Sequence, residues 1–290
     1  MGEIKLNRVM DNNNLVLVPF DFSEVADFAV QHAIGTAKWS DYKICLLHLI
    51  NKNIDKSYLK NETFLNDAIK EKLNDISFNK KIDYNVDIDY IIRENNDIYT
   101  TIGDAAKETG ASFIIIGTHG KKGMQHIIGS YILRVISNSP VPVMVVQKRP
   151  FGKGYEKFVV PIDITANSIQ KIKWAVRLAL HFNSPIHLIY VDTKIKYHQQ
   201  IYKNVALVKE LFEKKNINYI EKKVICTKNE FVNEVLTYSD QINADLLLII
   251  NEANKLVPSF MKVSAIEKII FNIYKIPVMC IIPENYTTII

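Results

Sequence analysis

The chain repeats itself, and that constrains its fold more than any single motif does. Val18-Pro19-Phe20-Asp21 recurs as Val160-Pro161-Ile162-Asp163. Ile44-Cys45-Leu46-Leu47-His48-Leu49 then lines up without a gap on Ile186-His187-Leu188-Ile189-Tyr190-Val191. Ala111-Ser112-Phe113-Ile114-Ile115-Ile116 matches Ala244-Asp245-Leu246-Leu247-Leu248-Ile249, and Val141-Pro142-Val143-Met144 matches Ile276-Pro277-Val278-Met279. Four matches in the same order indicate a duplication, so whatever fold one copy adopts must occur twice. A length of 290 residues suits two domains. Between the copies, Lys148-Arg149-Pro150-Phe151-Gly152-Lys153-Gly154 has the proline and glycine density of a connection. The expected domains are residues 1–149 and 155–290.

Within a copy, short apolar runs alternate with longer amphipathic stretches. Leu15–Pro19 is continuously apolar, as a strand covered on both faces should be. Ser23 is placed to cap a helix carrying Ala26, Ala29, Val30, Ala33, Ile34 and Ala37 on one face. Ile44–Ile50 reads as a strand, Glu62–Leu73 as a helix and Val86–Ile92 as a strand. Asp97 is placed to cap a helix that stops at Gly110. Phe113–Ile116 is the fourth strand, a helix is expected from about Ser130, and Val143–Gln147 is the fifth strand. Strands alternating with helices imply α/β architecture: two tandem Rossmann-like domains, each a five-stranded parallel-type sheet with helices on both faces.

The overall balance narrows the partners. Lys and Arg exceed Asp and Glu by 36 to 31, but the lysines are dispersed and sit beside acidic or Asn residues, as in Lys70-Glu71-Lys72. That favours a solvated surface over a nucleic-acid footprint. The three cysteines, Cys45, Cys226 and Cys280, share no CxxC spacing and read as small apolar packing groups in a reducing compartment. The first 14 residues have no apolar core of a signal peptide, and no run approaches the ~20 apolar residues of a membrane span. The expectation is a cytoplasmic protein without membrane or nucleic-acid partners.

Ligands of open parallel sheets bind beyond the carboxyl ends of the strands. In the first copy Asp21 follows the first strand, and His48 and Leu49 close the second. After the fourth strand come Gly117-Thr118-His119-Gly120, eight further residues, and Gly129-Ser130. Glycines let backbone approach a ligand, and a helix opening at Gly129-Ser130 would offer free N–H groups to an anion. The pattern reads as a phosphate cradle made mostly of backbone. In the second copy Pro161 and Asp163 persist, but Ile250 stands for Gly117, Ala253 for Gly120, and Ser264-Ala265 for Gly129-Ser130. That copy is expected to have lost the cradle.

These residues resemble the universal stress protein family, in its tandem two-domain form. The resemblance rests on Gly117-x-x-Gly120-x₈-Gly129-Ser130 with Val18-Pro19-Phe20-Asp21 upstream and Pro140-Val141-Pro142-Val143 downstream. It implies an adenine nucleotide alpha hydrolase-like fold and an adenine nucleotide, ATP or AMP, with or without Mg2+. It also implies a regulatory stress-response role without enzymatic activity. Asp21, with Pro19 and Phe20 beside it, and the backbone near Leu49 would hold adenine and ribose. Ile116, Gly117, Gly120, Gly129, Ser130 and Tyr131 would surround ribose and phosphates. The spacing from Gly120 to Gly129 is one residue shorter than in the ATP-binding pattern it resembles.

Rival readings are an interaction module or carrier of another small ligand, and a slow ATP hydrolase. The sequence has no HExxH, no Walker GxxxxGK[ST] and no GxSxG. His48, His119, His126 and the Lys121-Lys122 pair are secondary candidates near the same edge. Single-domain relatives are expected, from the resemblance, to dimerise through their last strands. Here Val141–Gln147 and Ile276–Ile282 are the equivalent segments, and a linker of about seven residues spans only ~25 Å. The expectation is two five-stranded sheets, broken near Pro150–Gly154, with these two segments facing across a pseudo-two-fold axis. Homodimerisation beyond that pair is left open.

Overall fold

A computed structural model describes residues 14–50, 62–94, 97–119, 127–192, 198–227, 229–251 and 263–283. The first copy runs β1 (Leu15–Pro19), α1 (Glu24–Ser40), β2 (Lys43–Ile50), α2 (Glu62–Tyr84), β3 (Ile88–Glu94), α3 (Ile98–Glu108), β4 (Phe113–Gly117), α4 (Ile127–Asn138) and β5 (Val143–Val146). The second runs β6 (Phe158–Ile162), a 3₁₀ turn (Ala166–Ile169), α5 (Gln170–Phe182), β7 (Ile186–Val191), α6 (His198–Lys214), β8 (Tyr219–Val224), α7 (Phe231–Gln241), β9 (Leu246–Ile250), α8 (Val263–Ile270) and β10 (Val278–Ile281).

Each copy is a set of five parallel strands with helices between them, as expected. Successive side chains of a strand point to opposite faces. All four residues of β5 and of β10, and all five of β6 and of β9, are buried, so both faces of the sheet are covered. The two copies also share their register. Val16 pairs with Ile44 and Phe113 in the first, and Phe158, its repeat partner, pairs with Ile186 and Leu246 in the second.

The two sets are not separate sheets. They join into one ten-stranded sheet, ordered β3-β2-β1-β4-β5-β10-β9-β6-β7-β8, and the expectation of two sheets is corrected. The seam is the antiparallel pair β5–β10, with Val278 opposite Val145, Met279 opposite Met144 and Cys280 opposite Val143. Met144 and Met279 are repeat partners of one another, so the pseudo-two-fold axis passes through that pair, and the facing arrangement of the last strands holds. The physical reason for one sheet is the backbone. A fifth strand left as an apolar edge would bury unpaired N–H and C=O groups, and mutual pairing satisfies them. Gln147 adds a bond across the seam, its Nε2 donating to Asn272 O at 2.9 Å.

Several element bounds differ from expectation: β3 is Ile88–Glu94 rather than Val86–Ile92, and other strand ends move by one residue. Helix α2 continues to Tyr84 because Ile76 and Ser77 extend the inward face of Ile69 and Leu73; it ends at Asn85, which has φ 52°. Helix α4 begins at Ile127, three residues before Ser130, because Ile127 and Ile128 already belong to the helical run.

The linker is clasped to α1. His32, on α1, is 2% exposed. Its Nε2 lies 2.9 Å from Arg149 O, which can only accept, so Nε2 carries the proton. Nδ1 then accepts from the Tyr155 hydroxyl at 2.7 Å. Next along the helix, Gly35 has no Cβ where one would stand 2.2 Å from the Phe151 ring. A mid-helix glycine costs ~1 kcal/mol against alanine, and here it admits the aromatic anchor of the linker. Arg149 also pairs with Asp245 of the second copy at 3.5 Å.

Val145 is 1% exposed at the seam. Val145→Lys is expected to destabilise the chain by on the order of 3–5 kcal/mol through a buried unpaired charge. Both halves should lose melting temperature together in calorimetry; one half melting unchanged would refute the shared seam. Burial pushes the His32 imidazole down to about 4, against 6.5 when unfolded. Between those values the unfolded chain binds a proton that the folded one refuses, so stability present above pH 6.5 falls as pH drops towards 4. The loss approaches ~3 kcal/mol. Urea unfolding of the parent and His32→Gln at pH 7.5 and 4.5 checks this, the variant being expected to lose less on acidification.

Candidate functional site

The strand order places β2, β1 and β4 side by side, with the topological switch between β1 and β4, so their carboxyl ends form one mouth. Phe20 extends the β1–β2 ladder, its N–H donating to Leu47 O at 2.8 Å. Its own carbonyl accepts from His48 Nδ1 at 2.8 Å, which fixes the His48 tautomer. Asp21 then leaves the sheet and is exposed. Its Oδ1 accepts from Ser23 N at 3.0 Å, and Ser23 Oγ accepts from Ala26 N at 3.3 Å, so two short side chains turn the chain from strand into α1.

Between them Phe22 sits at φ 61°, a left-handed conformation rare for a bulky side chain. Its ring packs on His48, centroids 4.9 Å apart, and on Phe20 at 5.3 Å. Lys72 Nζ of α2 lies 4.4 Å from the Phe22 ring centroid.

On the other side of the switch, β4 ends with Ile116 buried and Gly117 at the rim. Thr118 N donates to Val146 O at 2.8 Å. A Cβ on Gly117 would stand 2.1 Å from Val25 O and 2.9 Å from Ala26 N. The close approach that needs this glycine is made by the first turn of α1, where a ligand was expected.

Helix α4 supplies the far wall. Gly129 and Ser130 fall within its first turn, not ahead of it; the free N–H groups of that turn still include Gly129. Tyr131 is half-buried and its ring meets that of Tyr99 of α3 at a tilt, centroids 5.3 Å apart, with the Arg134 guanidinium 5.2 Å over the Tyr99 ring. Burial, and then the nearby Asp21 carboxylate, hold the Tyr131 phenol well above its ordinary range.

The structure thus gathers Pro19, Phe20, Asp21, Leu49, Ile116, Gly117 and Tyr131 around one mouth, Phe20 and Ile116 as buried floor. Gly120, Lys121, Lys122 and His126 lie outside the described residues. Phe22, Lys72, Tyr99 and Arg134 were not singled out from the sequence. Only Phe22, between Asp21 and Ser23, carried a signal, an aromatic inside a turn.

The second mouth is filled by its own polar groups. Asp163, the counterpart of Asp21, is 6% exposed. Its Oδ1 accepts from Thr165 N at 2.9 Å and Thr165 Oγ1 at 2.7 Å, while Ser168 Oγ takes the Asp163 N–H. Asn204 of α6 donates to the carbonyls of Asp163 and Thr165 at 2.9 and 3.1 Å. Where α1 makes its first turn, the second copy has the 3₁₀ turn Ala166–Ile169. Ile250, the counterpart of Gly117 at the end of β9, is buried at this second mouth.

A family model described as the universal stress protein family matches residues 13–147. Universal stress protein MJ0577 of Methanocaldococcus jannaschii is 28% identical over 153 residues, 46% of this chain and 94% of that protein. Universal stress protein MJ0531 of the same organism is 30% identical over 156 residues, 49% of this chain and 89% of that one. A universal stress protein crystal structure from Archaeoglobus fulgidus DSM 4304 covers 94% of this chain and 100% of its own, with TM-score 0.74 at 20% identity, a likeness of fold across both copies. Among the described residues no helix is long and apolar enough to cross a membrane.

Gly117→Val is expected to destabilise the chain by ~2–3 kcal/mol through the clash with Val25 and Ala26, measured by urea unfolding without any ligand. A parent-like midpoint would show that α1 does not need that close approach.

Proposed function

We propose, for a chain that belongs to the universal stress protein family, that its first copy binds an adenine nucleotide while its second holds none. The ligand is ATP or AMP, ATP arriving with Mg2+. The site is the mouth formed by β1, β2 and β4, with the first turn of α4 facing the phosphates. Asp21 meets the ribose hydroxyls. Residues 1–149 act as the binding unit and 155–290 as the structural and regulatory unit of a cytoplasmic stress-response protein that performs no catalysis.

The observation that carries this reading is the contrast between two equivalent aspartates. Asp21 is exposed, with one carboxylate oxygen engaged by Ser23, while Asp163 is buried in bonds from Thr165. A carboxylate buried within its own turn is not available to a sugar. The open Asp21, beside backbone N–H groups at a helix start, suits a phosphorylated ribose.

Isothermal calorimetry and thermal shift with ATP, AMP and a non-nucleotide panel test the reading. The parent is expected to bind ATP or AMP with one site per chain. Asp21→Asn should weaken binding about tenfold, the value of a charge-assisted hydrogen bond, while Asp163→Asn leaves nucleotide affinity unchanged. Two sites per chain, or a shift only with a non-nucleotide ligand, would overturn it. Release of phosphate from ATP above the buffer rate would overturn the non-catalytic part alone.

A further inference from the structure

We propose that Phe22 is the aromatic wall on which the flat base of the bound nucleotide stacks, and that Lys72 occupies that ring face until the base displaces it. The proposal rests on the nucleotide reading above and adds the residue that selects the base.

Three independent features single out Phe22. The first is its backbone. A phenylalanine at φ 61° is strained, and such strain persists only where the surroundings over-determine it. A turn alone would be served better by glycine.

The second is the support. His48 packs on the ring at 4.9 Å and is itself locked by its bond to Phe20 O, while Phe20 meets the ring edge-on at 5.3 Å. A half-buried ring braced from the sheet side is a rigid surface, and a rigid surface loses little freedom when a ligand stacks on it.

The third is place. Phe22 follows Asp21 directly, and His48 adjoins Leu49 at the end of β2. The ring therefore stands on the β2 side of Asp21, opposite the α4 turn that faces the phosphates. A ribose held at Asp21 with its phosphates towards α4 must send its base towards β2, onto this ring.

Lys72 reports the chemistry of the exposed face. Its ammonium 4.4 Å from the centroid marks an electron-rich surface open to a cation or to a second ring. Lys72 is exposed on a flexible stem. Stacking of a base on an aromatic side chain is worth roughly ten- to a hundredfold in affinity, whereas an exposed cation–π contact is worth only about two- to fivefold. The base therefore wins the face, and purines, with the larger ring system, win it by more than pyrimidines.

The test compares parent, Phe22→Gly, Phe22→Leu, Phe22→Tyr and Lys72→Ala by calorimetry against ATP, CTP and inorganic tripolyphosphate, which lacks a base. Glycine relieves the backbone strain and leucine keeps the packing, so the two guard against a folding failure in either one. Both should bind ATP at least tenfold more weakly than the parent while their tripolyphosphate affinity stays within threefold. Tyrosine should restore ATP binding, Lys72→Ala should bind ATP as tightly as the parent or more so, and the parent should prefer ATP to CTP. Unchanged ATP affinity in both Phe22→Gly and Phe22→Leu would overturn the wall and leave the nucleotide reading standing. So would an equal loss for ATP and tripolyphosphate, or a loss in Lys72→Ala exceeding that in Phe22→Gly. Failure of the parent to bind either ATP or AMP would overturn the nucleotide reading and the wall with it.

Discussion

Two strands of four residues each, β5 and β10, hold the architecture together. Each is buried along its whole length and flanked on one side by a parallel neighbour of its own copy. Its other side carries peptide groups that must find partners, because water is excluded there. The antiparallel pairing supplies those partners and draws the core across the seam, so Met144 and Met279 lie in one interior. Everything at the first mouth is hung from the same frame. Val146, the end of β5, accepts from Thr118, the residue after the critical Gly117.

Helix α1 is the second shared member. Its first turn presses on Gly117 and is capped by Ser23 two residues beyond Asp21, and Glu24 there pairs with Lys148 of the linker. Further along, His32 and Gly35 receive Tyr155 and Phe151. One helix therefore touches both the mouth and the segment leading into the second copy. The second copy lacks the equivalent constraint. Its chain opens on a 3₁₀ turn rather than an α-helical one, Ile250 is buried in place of the glycine, and the polar groups of that turn bond to one another and to Asn204.

Most strand positions, the parallel order within a copy, the Ser23 and Asp97 caps and the facing of the last strands were legible because each rests on local pattern or on the repeat. The single sheet was not. Apolar last strands say that something must cover them, but Val143–Val146 read the same whether the cover is a packed face or a hydrogen-bonded edge. The start of α4 was misplaced because Gly129 and Ser130 look like a helix opening, while the two isoleucines before them had already begun the helix. The function of Gly117 was half legible: the sequence asks for backbone approach, but only the fold says that Val25 makes it. The closure of the second mouth by Asn204 depends on a helix that lies far along the chain from Asp163, a contact without local signal. The same holds for Lys72 over Phe22.

The antiparallel seam also sets direction. Strands of the first copy and of the second point opposite ways, so the two mouths open on opposite rims of the ten-stranded sheet. The rim that carries the first mouth carries the linker and the amino ends of the second copy's strands. In a dimer of identical chains every substitution is written twice, and a mouth cannot be lost on one side only. Fusion into one chain removes that obligation. Ile250 can stand in the second half while Gly117 stands in the first, because the altered rim lies away from the first mouth. Duplication here is a device for breaking symmetry: it keeps the scaffold of a pair and frees its members to diverge.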